Sequence, residues 1–370
     1  MDLNLSIEQS MLKDSVDAFA RAYLSGGRTQ SRSAAEGFSR ETWREIVELG
    51  WLGVGLPEEV GGLGGSPVES MVIHQGMGAG LVVEPLLSAA LAARLIAVAG
   101  SSEQRSSLLP AILSADALAV LAHYEFSGRG DPDFVETSAT PVAGHWVLSG
   151  RKSLVVNAPS ADQIIISARS EDSGQLMLFV APAARLRSAI QVCETIDGLW
   201  AADLRLDGFE VFADERMVGA PDVAQALAEA LDHATMANCA EAVGAMDAVL
   251  ALTSDYLNIR HQFGVPIGSF QALQHKLADM VIAAELARSI LLYGVSSLSS
   301  DDPAARARGV SAAKVRVIES AELIGAHAVQ LHGAIGVSDE HIISHYFRKL
   351  TMLTRRFGGM DYHLARFGRA

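Results

Sequence analysis

Residues 330–341 read QLHGAIGVSDEH, and they determine how the C-terminal part of this chain is organised. An apolar pattern with helical spacing precedes them over residues 310–330. Gly333 predicts the end of that helix and a turn whose backbone N–H groups a ligand can approach closely, because glycine has no Cβ. Ser338 and the residue after it then predict a new helix, with Glu340 in its first turn. Such a turn directs a helix N-terminus and a carboxylate at one spot, which indicates a ligand site.

The composition describes a large, apolar and acidic protein. The chain has 370 residues, of which 49% are hydrophobic and only 19% charged. Its length predicts a sizeable core divided into two or three domains, and the high apolar content suggests surface reserved for subunit contacts. The formal net charge of -14 disfavours nucleic acid or an anionic membrane as a partner.

Cysteine usage and the N-terminal segment indicate a cytoplasmic protein. Cys193 and Cys239 are far apart and lack metal-type spacing, so a disulfide framework is not expected and a reducing compartment fits. Residues 1–6 lack the basic and apolar segments of a secretory signal. We also expect no membrane span, because no uninterrupted apolar stretch is long enough to cross a bilayer.

The chain divides into three segments of different periodicity. Residues 1–115 show helical spacing, residues 116–220 show short apolar or alternating runs separated by turn residues, and residues 221–370 return to long helical stripes. We therefore expect a mostly α protein with a central β-domain and an antiparallel C-terminal bundle. The predicted strands are 118–122, 146–148, 154–156, 163–167, 176–180 and 204–206.

A second motif, RHQFGVPIGSFQALQH, occupies residues 260–275. Arg260 at a helix end offers a fork of donors suited to a pyrophosphate, and Phe263 can cover an aromatic ring system. Gln271 can hydrogen-bond a nucleotide edge or a phosphate. The alternative is a plain turn between two helices, with Gly264 as a helix breaker and Arg260 compensating the helix dipole.

The order of segments and these two motifs resemble the acyl-CoA dehydrogenase family over nearly the whole chain. The resemblance implies an N-terminal helical domain, a small β-barrel or sandwich, a C-terminal four-helix bundle and FAD as the cofactor. It also implies that FAD is shared between subunits, with residues 330–334 holding one end of the dinucleotide. The cofactor-binding residues implied in the two motifs are Arg260, Gln262, Phe263, Gln271, Gln330, Leu331, His332, Gly333 and Ala334.

Glu340 falls where many members of that family carry the catalytic base, and Arg348 falls where they carry an arginine. The family's reaction removes an α-proton from an acyl thioester while the β-hydrogen leaves as hydride, so it needs a carboxylate of this kind. The alternative is that Glu340 merely suits the first turn of a helix. Other members place the base on the first long C-terminal helix, where this chain has Ala234. Glu241 on that helix is expected to be a packing or interface carboxylate.

The β-domain departs from the family pattern at three positions. Tyr124 and Val156 fall at cofactor-contacting positions, but Val156 replaces a hydroxyl residue and Leu154 replaces an aromatic one. Gly130 stands where the family has a substrate-contacting serine. These changes remove a hydrogen bond and an aromatic cover, and they weaken the grip of this domain on a flavin.

Three functions are consistent with these features. The first is a dehydrogenase that converts an acyl-CoA to the 2,3-enoyl-CoA and passes electrons to an electron-transfer flavoprotein. The second is a non-catalytic partner subunit that contributes FAD contacts to a related chain in a heteromer. The third is a flavin monooxygenase or oxidase on the same fold. The tail at residues 357–363, FGGMDYH, resembles a bacterial subgroup that handles bulky or steroid acyl-CoA thioesters.

Overall fold

The computed structural model of the chain describes residues 5–370. Residues 1–4, which open the segment where no secretory signal is expected, lie outside the described part. Several helices begin at a polar cap or a proline; Ser6, for example, forms a capping box with Gln9. The helices are α1 (Ile7–Ala22), α2 (Arg28–Ser33), α3 (Arg40–Glu48), α4 (Pro67–Ala79), α5 (Leu86–Ala99), α6 (Ser102–Leu113), α7 (Val223–Ile259), α8 (Gln271–Ser297), α9 (Pro303–His332), α10 (Ile342–Leu353) and α11 (Met360–Arg369).

Nearly all the strands lie between α6 and α7 and form a single seven-stranded sheet of order β1-β4-β2-β3-β7-β6, with β5 paired to β4. Two register shifts between β3 and β7 interrupt the pairing and increase the local twist. The strands are β1 (Ala119–Ala122), β2 (Ser138–Val142), β3 (His145–Val156), β4 (Gln163–Ser170), β5 (Leu176–Pro182), β6 (Ile190–Glu194), β7 (Trp200–Phe212), β8 (His261–Gln262) and β9 (Val265–Pro266).

The sequence located the core of this sheet but not all of its strands. The runs predicted at 146–148 and 154–156 belong to one long strand, β3. The sequence prediction missed β2 and β6, whose residues are mostly exposed or half-buried and therefore carry little apolar alternation.

Contacts along the backbone divide the chain into two compact units. The helical unit comprises the described residues up to Arg28, together with Pro67–Val82 and Thr235–Ala370. The sheet unit comprises Thr29–Ser66 and Val83–Ala234. The three consecutive segments, residues 1–115, 116–220 and 221–370, stay a prediction.

The core of the helical unit is built from the stripes that the sequence shows. Met246 on α7, Met280 on α8, Val310 on α9 and Tyr346 on α10 are all 0% exposed. Burying these side chains supplies the main favourable term for packing the bundle. The architecture expected from the sequence, mostly α with a central β-domain and C-terminal helices, is confirmed.

Among the described residues, α8 alone is long and apolar enough to cross a membrane. Its most apolar stretch is 39% buried within the protein. The sequence analysis expected a helix here but no membrane span, because charged residues such as Lys276 and Asp279 interrupt the apolar residues. One such helix is weak evidence for a membrane span, since core helices of bundles can have the same length and composition.

Candidate functional site

The motif that begins at Arg260 forms a tight hairpin between α7 and α8. α7 ends one residue before Arg260, and α8 begins at Gln271. β8 pairs with β9 so that Phe263 and Gly264 are the central residues of the turn. Their φ angles are 51° and 81°, and a two-residue type I′ turn requires positive φ at both positions.

The side chains of this hairpin are open to solvent. Arg260, Gln262 and Gln271 are exposed, and Phe263 is 92% exposed. The only ring contact that the structure gives Phe263 among the described residues is an edge-on one to Phe270, at 6.1 Å between centroids. An aromatic side chain held in solvent by a strained backbone is typical of a binding surface.

Gly333 closes α9, as the sequence predicted. Its N–H donates to the Gln330 carbonyl, and its φ of 66° with ψ of -144° suits glycine. A Cβ at Gly333 would meet no described atom within 4 Å, so this face of the backbone is open. Gln330 and Ala334 are exposed, whereas Leu331 and His332 are buried.

An aromatic stack connects the last turn of α7, which leads into the hairpin, with the end of α9 at the glycine turn. The Tyr256 ring lies on the His332 ring with centroids 4.3 Å apart, and the Tyr256 hydroxyl donates to the His332 carbonyl at 3.4 Å. His332 in turn contacts the His341 ring at 5.1 Å. Burial lowers the pKa of His332, and its Nδ1 donates to the Ala328 carbonyl. The sequence analysis missed Tyr256 and His341, although Tyr256 lies one helical turn before Arg260.

Glu340 lies beside this stack, but the predicted local structure was wrong. α10 begins at Ile342 with His341 as its N-cap, so Glu340 precedes the helix instead of occupying its first turn. The reason is a turn in which Ser338 accepts hydrogen bonds from the N–H groups of Glu340 and His341. The Glu340 side chain is exposed.

The residue before Glu340 is fixed from α10. Arg348 forms an ion pair with the Asp339 carboxylate, and His345 Nε2 donates to the Asp339 carbonyl at 2.9 Å. One side chain of α10 therefore holds the Asp339 backbone and another holds its carboxylate, immediately before the candidate base. Arg348, expected from the sequence to belong to this region, acts on Asp339 and not on Glu340 itself.

In the sheet unit, the two candidate cofactor positions lie on adjacent segments. The Ser153 N–H donates to the Tyr124 carbonyl at 2.8 Å, and Val156 is the last residue of β3. Between them, Leu154 has a φ of 53° and its N–H donates to Asp203, which marks a bulge. The Ser153 Oγ is buried and has no hydrogen-bond partner among the described residues. A ligand oxygen or nitrogen could satisfy that hydroxyl.

Beneath these segments is a buried polar network. Lys152 is 0% exposed, and its ammonium donates to Glu125 at 2.6 Å and to Ser167 at 3.0 Å. Burial lowers the pKa of Lys152 to about 8 against the opposing effect of the Glu125 charge. His123 Nδ1 lies 2.8 Å from the Ser167 hydroxyl. The network ties β1, β3 and β4 together behind Tyr124.

The sheet unit also contains a cavity of about 760 Å³. Its wall includes the start of α7, the turn between β4 and β5, and the segment around Asp133. Arg169, Arg216 and His123 contribute polar side chains, and Leu227 and Leu231 contribute apolar ones. A cavity of this size and mixed lining fits a small organic ligand.

Comparison with known proteins agrees with this architecture. Residues 6–116 match the family model for the acyl-CoA dehydrogenase N-terminal domain, and residues 224–370 match that for the C-terminal domain. The chain belongs to the acyl-CoA dehydrogenase family.

Similar proteins include a curated acyl-CoA dehydrogenase and two solved complexes, one of which is named as a steroid enzyme. The acyl-CoA dehydrogenase FadE27 of Mycobacterium tuberculosis is 30% identical over 339 residues, covering 90% of this chain and 88% of the relative. The solved structure of the Tcur3481-Tcur3483 steroid ACAD is 30% identical, with a TM-score of 0.87 over 98% of this chain and 97% of its own. The ChsE4-ChsE5 complex from Mycobacterium tuberculosis is 27% identical, with a TM-score of 0.88 over 100% and 98%.

FAD is the cofactor of this family, and the helical unit offers groups that fit it. Arg260, Gln262 and Gln271 present a cation and two amides, which suit a pyrophosphate and a nucleotide edge. The open backbone at Gly333 suits close approach of a ligand. In the sheet unit, the buried Ser153 hydroxyl is a donor near Val156, which itself has no polar atom in its side chain.

Proposed function

We propose that this chain is an FAD-dependent acyl-CoA dehydrogenase that converts an acyl-CoA thioester to the 2,3-enoyl-CoA. The observation that carries the proposal is the stack Tyr256–His332–His341. It joins the last turn of α7, just before the hairpin, to the glycine turn after α9 and to the residue that follows Glu340. This brings a phosphate-binding type of surface and a carboxylate into one region of the helical unit.

The roles of the residues follow from their chemistry. Arg260, Gln262 and Gln271 would hold the cofactor through charge and amide hydrogen bonds, with Phe263 covering an aromatic part of it. The backbone and side chains of residues 330–334 would hold its other end. Bound FAD supplies the acceptor for the β-hydrogen of the substrate, which leaves as hydride.

Glu340 would remove the α-proton of the thioester. Its exposed side chain is accessible to a substrate, and Arg348 and His345 hold the preceding residue in place. The Glu340 N–H donates to the Ser338 Oγ at 3.3 Å, a long bond that a thioester oxygen can replace. That donor would then stabilise the charge that develops on the oxygen.

In the sheet unit, the proposed cofactor contacts are Tyr124 and Val156. We propose that the substrate is a bulky or steroid acyl-CoA, as the name of one similar solved structure suggests. An electron-transfer flavoprotein is the proposed electron acceptor, and the cytoplasm is the proposed location. The proposed assembly is a homo-oligomer or a heteromer with a related subunit.

A second candidate is a non-catalytic partner subunit. Leu154 and Val156 favour it, because neither provides the aromatic cover or the hydroxyl expected of a flavin-binding β-domain. Two of the similar solved structures are named as pairs of different chains, which also supports a heteromer. In that assembly, Arg260 and Gln330 would serve the cofactor of the neighbouring chain.

The test is anaerobic titration of the purified, flavin-loaded chain with acyl-CoA thioesters, including steroid side-chain thioesters. We expect bleaching of the flavin absorbance, and we expect Glu340→Gln to reduce its rate by about a thousandfold or more. Glu322→Gln, which changes an exposed carboxylate of α9, should bleach like the wild type. Undiminished bleaching in Glu340→Gln would refute the base assignment. A colourless chain that gains activity only with a second subunit supports the partner function.

A further inference from the structure

Glu241 on α7 is buried and ion-paired, although the sequence analysis gave it no role in the site. It is 5% exposed. One carboxylate oxygen lies 2.9 Å from the Lys349 ammonium on α10, and the other accepts a hydrogen bond from His74 on α4 at 3.3 Å. The sequence analysis expected Glu241 to be a packing or an interface carboxylate. The burial of its side chain agrees with the packing role and not with an exposed interface carboxylate.

The charge of Glu241 is stable in this environment. Burial alone raises the pKa of a carboxyl, but the Lys349 charge and the His74 hydrogen bond outweigh burial and bring the pKa of Glu241 down to about 2. Arg356 contributes a further positive charge. The carboxylate is therefore ionised at any pH at which the protein works, and it can anchor Lys349 continuously.

The backbone around Glu241 is packed too tightly to move. A Cβ at Gly78 would lie 1.9 Å from the Glu241 carbonyl oxygen, and a Cβ at Gly244 would lie 1.8 Å from the Gln75 carbonyl oxygen. α4 and α7 thus cross in direct backbone contact, which only glycine permits. Glu241 and His74 project from this rigid crossing.

α10 is held against this crossing along one face and holds the Glu340 loop with another. On the buried face, Lys349 reaches Glu241, and the Tyr346 hydroxyl donates to the Ala79 carbonyl at the end of α4. On the exposed face, His345 and Arg348 contact Asp339. The helix is therefore a direct mechanical connection between the crossing and the residue before Glu340.

At its other end, α10 is held by two donors from neighbouring helices. The carbonyl of Leu353, the last residue of α10, accepts hydrogen bonds from Asn238 at 2.9 Å and from Lys314 at 2.7 Å. Lys349 is therefore not the sole anchor of the helix. Among the charged side chains that anchor α10, Lys349 is the one nearest to the Glu340 loop.

We propose that Glu241 is a positioning residue for the reaction: through Lys349, one residue after Arg348, it fixes α10, and so the loop that presents Glu340. The inference rests on the proposed role of Glu340 as the base. Its structural part, that Glu241 controls the order of the Glu340 loop, is independent of the chemistry. The two parts need separate measurements.

The structural part is tested by hydrogen exchange of residues 338–344 in Glu241→Gln. The Glu340, His341 and Ser344 amides donate within this loop, so their exchange reports its order. We expect exchange about tenfold faster than in the wild type, since Gln cannot hold the Lys349 ammonium as a carboxylate does. The matched control is Ser320→Ala, which removes a buried hydrogen bond from α9 to the Ala283 carbonyl on α8. If the two variants give the same exchange at 338–344, the proposal is overturned.

Should Glu241→Gln fail to fold, the double variant Glu241→Gln/Lys349→Met removes the unpaired cation. We expect it to regain stability while exchange at residues 338–344 stays about tenfold faster, because the anchor is still missing. Stability regained together with wild-type loop exchange would contradict the proposal. If Glu241 only stabilised the fold, the stability and the loop exchange of the double variant would recover together.

The catalytic part is tested by stopped-flow reduction of the flavin by acyl-CoA. We expect Glu241→Gln to lower the limiting rate by about tenfold and to leave the apparent Kd within about twofold, because the base is displaced and no group proposed to bind the substrate is changed. An unchanged rate would overturn the positioning role. If the wild type reduces no flavin with any thioester, the proposed function fails, and the exchange measurement alone decides the inference.

Discussion

At the scale of single residues, two glycines determine how closely α4 and α7 approach each other. A Cβ at Gly78 would meet a carbonyl oxygen at 1.9 Å, well inside van der Waals contact. We predict that Gly78→Ala lowers the free energy of unfolding by about 2–3 kcal/mol, because the helices must separate to admit the methyl group. Urea unfolding followed by circular dichroism measures the loss.

The control for that change is Gly26→Ala in the same helical unit. A Cβ at Gly26 would meet nothing within 4 Å among the described residues, and Gly26 is not among the glycines of positive φ. The free energy of unfolding of the Gly26→Ala variant should equal that of the wild type or exceed it by up to about 1 kcal/mol. Equal losses in the two variants would show that close helix contact is not what Gly78 provides.

The sequence identified the residues of the candidate site better than their partners. Arg260, Gln262 and Phe263 could be chosen because their order forms a motif. Tyr256 could not, because its role depends on stacking against His332, 76 residues away. Lys349 was missed for the same reason, since a lysine on a helix is ordinarily a solvated residue until Glu241 is placed beside it.

At the scale of elements, the hairpin between α7 and α8 holds an exposed aromatic ring on an unfavourable backbone conformation. Phe263 has a φ of 51° and is 92% exposed, so its ring contributes little to the fold of the chain. Asparagine tolerates this conformation better. We predict that Phe263→Asn changes the free energy of unfolding by less than about 0.5 kcal/mol but weakens flavin binding about tenfold.

Flavin retention on gel filtration and the unfolding midpoint of the apoprotein check both halves of that prediction. Ile7→Asn is a matched control, because Ile7 is also apolar and 78% exposed but lies at the start of α1. It should leave flavin binding unchanged. Wild-type retention in Phe263→Asn would remove the hairpin ring from the cofactor site.

The long helices could be predicted because their apolar stripes repeat with the helical period. The start of α10 could not, because Ser338 and Asp339 are good N-cap residues by type. In the structure, Ser338 instead closes a turn, and the His341 ring accepts the N–H of Ile343. Which of several polar residues caps a helix depends on the turn before it, and the sequence pattern does not specify that turn.

At the scale of the whole molecule, the two compact units are each assembled from separated segments. α4 belongs to the helical unit with α8 to α11 and the part of α7 from Thr235 onward, although more than 150 residues separate it from Thr235. The periodicity of α4 shows that it is a helix but not what it packs against. Gly78 and Gly244 allow α4 to pack closely against α7, but this role becomes visible only when both helices are in position.

Each unit contains a buried histidine with a strongly lowered pKa, which should make the molecule sensitive to acid. In the helical unit, His363 is 1% exposed, and its Nε2 lies 2.8 Å from the Phe357 carbonyl. Burial, with nearby Lys314, lowers the pKa of His363 to about 3. In the sheet unit, burial and the Lys152 charge lower the pKa of His123 to about 4.

Both folded pKa values lie below the ordinary value of 6.5, so the unfolded chain takes up the proton first as pH falls. The stability associated with each neutral histidine is present above pH 6.5 and is lost progressively down to about pH 4 for His123 and pH 3 for His363. Between pH 7.5 and 5.5, each histidine should lower the free energy of unfolding by about 1.4 kcal/mol.

We predict that the free energy of unfolding of His363→Gln falls by about 1.4 kcal/mol less than that of the wild type over this interval. The same difference is expected for His123→Gln. Urea unfolding at the two pH values measures each difference within one variant, so any constant destabilisation cancels. Exposed His275→Gln should keep the wild-type dependence, and a His363→Gln variant that also keeps it would show that this ring is not the acid-sensitive group.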